Sequence, residues 1–307
     1  MDPFDRNPDV LWGVAEEVAP AIRRVTAENP SAYTFTGTRS YLVGRGDLAL
    51  IDPGPDDPAH IAAVLGALRP AERISHILVT HSHLDHSGAA PAIARATGAE
   101  VLAFGPHGSG MSPTMRVLLE SGAALGGGEG SDRDFVPDRE LADGEAVEGD
   151  GWRLVALHTP GHLSNHLSFA LDGTGIVFTG DTVMGVSTTL VSPPEGDMAA
   201  FMASLERLAA RDDRLYLPGH GHPVRAPAAM LSWQIAHRRK RFAQILDALA
   251  EGPSDAEALA ARIYTGLDPA LLPGAARNVF ASLIGLADQG KVRVQGKIAA
   301  GAIFERG

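Results

Sequence analysis

The sequence predicts an α/β protein followed by a smaller helical domain, and three observations carry that expectation. Across residues 41–224, strand-like apolar runs alternate with turn clusters and helix-spaced segments. Several of those runs stop at Gly-, Pro- or Asp-containing motifs, most of them bearing histidine. After Pro223-Val224-Arg225-Ala226-Pro227 the composition shifts to long helical patterns and a short terminal hairpin. The expected division is therefore 1–227 and 228–307.

Taken in order, Tyr41-Leu42-Val43, a Gly-Arg-Gly-Asp turn at 44–47 and Leu48-Ala49-Leu50-Ile51 read as a hairpin that Asp52-Pro53-Gly54 ends. Pro58, Ile61, Val64, Leu65 and Leu68 have helical spacing, with Pro58 tolerated in the first turn. A strand at 74–79, a His-rich loop, a helix at 88–97 and a strand at 101–104 follow. The stretch 105–134 breaks the rhythm: Gly105, Gly108, Gly110 and the run Gly126-Gly127-Gly128 flank a helical segment at 114–121, as expected of a lid or a surface loop. Strand patterns return at 152–157, 167–171 and 176–179. A helix at 230–250 carries His237-Arg238-Arg239-Lys240-Arg241 and ends at Gly252-Pro253. Helices at 255–263 and 274–288 and a hairpin formed by 291–294 and 298–304 complete a small subdomain.

Composition narrows the chemistry. The chain has no Cys, which excludes disulfides, a thiol nucleophile and thiolate ligands and leaves His, Asp and Glu for any metal. Met1-Asp2-Pro3-Phe4-Asp5-Arg6 does not resemble a secretory signal, and no run of about 18 uninterrupted apolar residues suggests a membrane span, so a cytoplasmic address with no membrane partner is expected. The net charge is −11, yet residues 230–307 hold ten basic and seven acidic side chains, so the acidic excess lies in the first domain. An acidic body disfavours broad electrostatic capture of nucleic acid.

The densest chemistry lies at Thr80-His81-Ser82-His83-Leu84-Asp85-His86, where three imidazoles and a carboxylate follow a strand directly. These are ligand types that zinc and related divalent ions accept. Three further strand ends lead to His158-Thr159-Pro160-Gly161-His162, to Gly180-Asp181 and to Pro218-Gly219-His220-Gly221. Glycine and proline there turn the chain sharply, so four loops can converge on one cleft.

In order and spacing, HxHxDH at 81–86, TPGH at 159–162, GD at 180–181 and PGHG at 218–221 resemble the metallo-β-lactamase superfamily. The resemblance implies an αββα sandwich with a dinuclear site at one edge. It implies that His81, His83 and His162 hold one ion, that Asp85, His86 and His220 hold the other, and that Asp181 bridges them. Two divalent ions about 3.5–4 Å apart can share a hydroxide that attacks a carbonyl or phosphoryl centre, with Asp85 also orienting it. The tail is similar to the branch of that superfamily with a winged-helix-like C-terminal domain, which includes endoribonucleases.

Arg39 stands where relatives commonly show Asn, and it and His166 are the expected substrate contacts. His222 competes with His220 for the last ligand position, and PGHG favours His220. His60, His76, His107, His158 and His237 read as surface, strand or supporting groups. The leading expectation is a hydrolase using two divalent ions, zinc first and iron or manganese as alternatives, on a small-molecule ester, thioester, lactone or amide. A single-stranded RNA endonuclease is the second reading, resting on the 238–241 basic run, although no aromatic residues interleave it to stack bases. A non-catalytic metal-dependent binding protein is the third, and a scaffold has no evident use for an open dinuclear site. Self-association into a homo-oligomer is the remaining partner expectation.

Overall fold

A computed structural model describes residues 2–122, 126, 128 and 130–307, so Gly127 of the expected glycine run lies outside the described residues. A seven-stranded sheet is ordered β1 (Ala15–Ala19), β2 (Ile22–Thr26), β3 (Arg39–Val43), β4 (Asp47–Ile51), β5 (Arg73–Leu78), β6 (Glu100–Ala103) and β7 (Arg139–Glu140). A five-stranded sheet comprises β8 (Ala146–Gly149), β9 (Trp152–His158), β10 (Leu167–Leu171), β11 (Ile176–Gly180) and β12 (Leu215–Pro218), in the order β12-β11-β10-β9-β8. Strand β4 shows why the sheets stack. Ala49 and Ile51 point into the layer shared with Leu154, Phe169 and Phe178 of the second sheet, while Leu48 and Leu50 point to the opposite face. That alternation is the period of two of a strand buried on both sides.

Helices close the two outer faces. The β4 outer face packs on α1 (Pro58–Gly66) and α3 (Ala90–Thr97) through Val64 and Ile93. Between them in the chain lies the short helix α2 (Leu84–Ser87), inside the His-rich run. The short helix α4 (Pro113–Ser121) starts at Ser112, whose hydroxyl accepts from Met115 N. The outer face of the second sheet packs Val177 and Tyr216 on Met198, Phe201, Leu205 and Leu208 of α5 (Met198–Ala209). The result is the αββα sandwich that the resemblance implied.

The tail forms α6 (Pro227–Ala250), α7 (Ala256–Ile263), α8 (Leu272–Asp288) and a hairpin of β13 (Val292–Val294) and β14 (Phe304–Arg306). Its core gathers Ile245, Leu249, Leu259, Val279, Phe280, Leu283 and Phe304. Helix α6 serves both bodies: Met230 and Leu231 pack in the α5 layer, whereas Ile245 and Leu249 join the tail core. The expected division thus falls at the start of a helix whose first half stays on the sandwich.

Several elements differ from the sequence expectation, β1, β2, α2, β7, β8 and α5 among them. Strands β1 and β2 lack a clean apolar alternation because Arg23 and Arg24 are buried charges, paired with Glu72 at 2.6 Å and Glu16 at 2.7 Å. Helix α5 went unassigned in the sequence. Its buried apolar side chains lie at 198, 201, 205 and 208, and Asp197 caps it by accepting from Ala199 N and Ala200 N.

Candidate metal centre

Four strand ends supply the cluster, as their flanking turns suggest. His81, His83, Asp85 and His86 follow β5, His162 follows β9, Asp181 follows β11 and His220 follows β12. The two sheets are stitched together here by Arg39 N donating to Gly219 O at 2.9 Å and Tyr41 Oη donating to Pro218 O at 2.7 Å. Ligand-type atoms of His81, His83 and His162 lie within 4.8 Å of one another, as do those of His81, His86 and Asp181 and those of Asp85, His86 and His220. All seven expected ligand residues are therefore brought together.

Outer hydrogen bonds fix which ring nitrogen faces inward. His162 Nδ1 donates to Leu190 O at 2.9 Å, and His86 Nδ1 donates to Asp52 Oδ2 at 2.8 Å. Thr80 Oγ1 donates to Asp52 Oδ2 at 2.8 Å, so its lone pair accepts from His81 Nδ1 at 2.9 Å. The inward lone pairs then meet: His83 Nδ1 is 2.9 Å from His81 Nε2 and 3.1 Å from His162 Nε2, and His86 Nε2 is 3.3 Å from His220 Nε2. Such lone pairs repel unless a cation or a proton sits among them, and the buried Asp181 Oδ1 has no hydrogen-bond partner among the described residues. Its carboxylate faces both groups, with Oδ1 3.6 Å from His86 Nε2 and Oδ2 3.3 and 3.6 Å from the Nε2 atoms of His220 and His162. The donor set fits divalent cations.

Electrostatics agree with that fit. Burial, followed by the neighbouring imidazoles, holds His81 well below the usual histidine range, and burial with His162 lowers His83 to about 3. Both rings are neutral and free to ligate at pH 7. Burial opposes ionisation of Asp181, yet His220 and His86 outweigh it and keep its carboxyl well below the carboxylate range. Burial also opposes charge on His86, but Asp85, Asp181 and Asp52 push it up to about 10, so a cation entering there displaces a proton.

Two expected substrate contacts are corrected. Arg39 is fully buried, donating from Nη1 to Thr26 Oγ1 at 2.6 Å, from Nη2 to Thr36 Oγ1 at 2.8 Å and from Nε to Gly221 O at 3.3 Å. It braces the loop after β12 and is closed to substrate. His166 is also fully buried, stacked on His81 at 5.0 Å between ring centres, and its Nε2 accepts from Asp181 N at 3.1 Å. It orients Asp181 from behind. His222, by contrast, points away to Asn7 O at 2.8 Å.

Asp52 and Thr38 are the supporting residues that sequence reasoning missed. Asp52 read only as part of a breaker cluster, yet it accepts from Thr80 N at 2.7 Å, from Thr80 Oγ1 and from His86 Nδ1. Thr38 Oγ1 donates to Asp85 Oδ2 at 2.7 Å. Asp52→Ala is expected to weaken metal binding about 10- to 100-fold by freeing the His86 ring, measured by chelator competition. Unchanged affinity would show that the bond does not orient the ring.

A cavity of about 390 Å³ opens onto the cluster, lined by His83, Asp85, His162, Asp181 and His220 and walled by Tyr33, Leu163, Met184 and Leu190. Gly128 and Gly130 bring part of the 105–134 insertion to this wall, with Ser192, Glu195 and Arg277.

This arrangement defines a metal-dependent hydrolase site on an αββα sandwich. Residues 33–220 match the family model described as the metallo-beta-lactamase superfamily, and the chain belongs to that superfamily. Residues 256–301 match the beta-lactamase associated winged helix domain. A Drosophila melanogaster "Beta-lactamase-like protein 2 homolog" is 30% identical over 90% of this chain and 93% of its own length. An "Atrochrysone carboxyl ACP thioesterase" of Claviceps purpurea is 30% identical over 81% of this chain and 70% of its own. Among solved structures, a beta-lactamase domain protein from Burkholderia ambifaria superposes with a TM-score of 0.80 at 23% identity, covering 97% of this chain and 96% of that one. A metallo-beta-lactamase family protein from Thermus thermophilus gives 0.73 at 25% identity, covering 95% and 100%. Fold and His/Asp clusters are consistent with a catalytically active dinuclear metal hydrolase.

Proposed function

We propose that the protein hydrolyses a small-molecule acyl compound, an ester or thioester in the first place and a lactone or amide by the same chemistry. The observation that carries this reading is the cavity: its lining joins the ligand-type side chains to Tyr33, Leu163, Met184 and Leu190, and its volume suits a small ligand. The thioesterase named among the relatives adds weight to the thioester. His81, His83 and His162 would hold one ion, Asp85, His86 and His220 the other, with Asp181 shared, and zinc fits the nitrogen-rich set. When bound, such ions polarise a carbonyl and lower the pKa of water. Within the chain, Asp85 is held by Thr38 through Oδ2, which leaves Oδ1 to orient an attacking water or take its proton. Leu163, Met184 and Leu190 would exclude bulk water from the acyl group.

The basic run gives the RNA reading little support. Arg238 is buried, Arg239 pairs with Glu206 at 2.8 Å, and Arg241 lies 4.2 Å over the Tyr264 ring. Three of its four cations are thus engaged within the protein. The test is metal analysis by mass spectrometry joined to a hydrolysis panel of thioesters, esters, lactones, phosphodiesters and single-stranded RNA. Chelator-sensitive turnover of acyl compounds is the expected result, and turnover of RNA alone would overturn the reading.

A further inference from the structure

Helix α8 of the C-terminal domain sends one described side chain into the cavity, and that side chain is Arg277. Among the described residues no other lysine or arginine lines the cavity. Its Nε donates to Pro273 O one turn back at 3.4 Å, and the two terminal amino groups of the guanidinium have no hydrogen-bond partner among the described residues. Arg277 as a residue is partly buried, its bond to Pro273 lies at the solvent-exposed end, and a guanidinium so placed pairs with an oxyanion through charge-assisted hydrogen bonds. Among the described residues, the remaining charged side chains on the wall are carboxylates: Asp85 and Asp181 within the metal cluster, and Glu195, held by Ser131 Oγ at 2.8 Å and by His107 Nε2 at 3.4 Å. The cavity is therefore polarised, with an arginine fork on the α8 side and carboxylates elsewhere.

The helix that carries the fork is also held in place. The next residue, Asn278, accepts at Oδ1 from Val191 N at 3.0 Å and from Arg238 Nη1 at 3.2 Å. Val191 adjoins Leu190, which lines the cavity and whose carbonyl holds His162. Helix α8 is thus tied to the same loop that orients the metal cluster, which fixes where Arg277 emerges relative to it. A guanidinium presented in this way recognises carboxylate or phosphate oxygens through paired N–H donors.

We propose that Arg277 binds an oxyanion of the substrate, so that the acyl compound cleaved here carries a carboxylate or a phosphate away from the scissile bond. The inference rests on the acyl-hydrolase reading, and its test separates the two. Three non-hydrolysable thioether analogues, each with a methylene inserted between sulfur and the carbonyl carbon, are titrated calorimetrically into the metal-loaded protein: those of neutral butyryl-N-acetylcysteamine, of its succinyl counterpart, and of butyryl-4′-phosphopantetheine. At least one charged analogue is expected to bind the wild type about tenfold more tightly than the neutral one. Arg277→Ala should abolish that advantage while leaving the neutral analogue unaffected, and Arg277→Lys should restore part of it. The succinyl and phosphate arms tell whether the anion sits on the acyl or the thiol side.

In turnover of the corresponding thioesters, the alanine variant should raise KM for the charged substrate by a similar factor with kcat unchanged. If charged and neutral analogues bind the wild type alike, or if Arg277→Ala weakens all three equally, the inference fails. Charge-selective binding without cleavage of any thioester would defeat the hydrolase reading and leave the anion site standing.

Discussion

Asp181→Ala is expected to remove bound metal and hydrolysis together, with a loss on the order of a thousandfold or more in turnover. The carboxylate faces both sets of imidazoles, through Oδ1 to His86 and Oδ2 to His162 and His220. Alanine would remove the anion that lies between the imidazole sets and leave Asp85, on the His86 and His220 side, as the remaining carboxylate facing them. The surrounding backbone is built around that carboxylate: a Cβ at Gly219 would lie 2.5 Å from Asp181 Oδ1 and 2.6 Å from His86 Cε1. Metal content by mass spectrometry and turnover of a thioester, measured on the same preparation, check the expectation. His83→Ala should behave alike, because its Nδ1 meets two other imidazoles. His222→Ala, whose ring rests on Asn7 O, should leave both readings unchanged. Full activity in protein without metal would defeat the metal-centre assignment.

The clustered His and Asp residues were legible because each follows an apolar strand and carries its own turn signal. Strand identity, loop position and donor chemistry then point the same way. The residues that orient them were not legible, for a physical reason. Asp52 lies 34 positions from His86 and reads locally as a turn residue; only the parallel pairing of β4 with β5 brings them together. Thr38 is 47 positions from Asp85, and nothing in its local sequence points to that partner. Arg39 and His166 show the converse failure. A polar residue beside a site motif is read as reaching the substrate, yet β3 turns Arg39 into the protein, where Thr26, Thr36 and Gly221 take up its donors. Charge within a strand misled in the same way at Arg23 and Arg24, whose acidic partners Glu72 and Glu16 lie on other elements. Sequence patterning assumes that charge faces water, and a paired buried arginine breaks that assumption.

Arg238→Ala is expected to destabilise the fold by about 3 kcal/mol, an unusually large effect for a residue inside a basic run. Arg238 is 3% exposed, and burial lowers it to about 10, so it is still charged at neutral pH. Its Nη2 donates to Thr189 O, its Nη1 to Asn278 Oδ1, and its guanidinium lies 5.1 Å from the Phe201 ring. Alanine would leave the Thr189 carbonyl without that donor and open a void between α5, α6 and α8. The same loop governs the metal cluster: Thr189 Oγ1 donates to Asp181 O at 2.6 Å, and Leu190 O fixes His162. A second effect therefore follows, a loss of about tenfold in metal affinity as that loop slackens. Urea unfolding of metal-loaded and chelated protein measures the first effect, and chelator competition on the folded variant measures the second. Arg238→Lys keeps the charge but not the planar fork and should recover only part of each. Were Arg238 an RNA contact, the alanine variant would keep its stability and its metal and lose only salt-sensitive RNA binding. A variant that loses stability but keeps wild-type metal affinity would show that the winged domain is merely attached, whereas loss of both makes α6 and α8 part of what holds His162 and Asp181 in place.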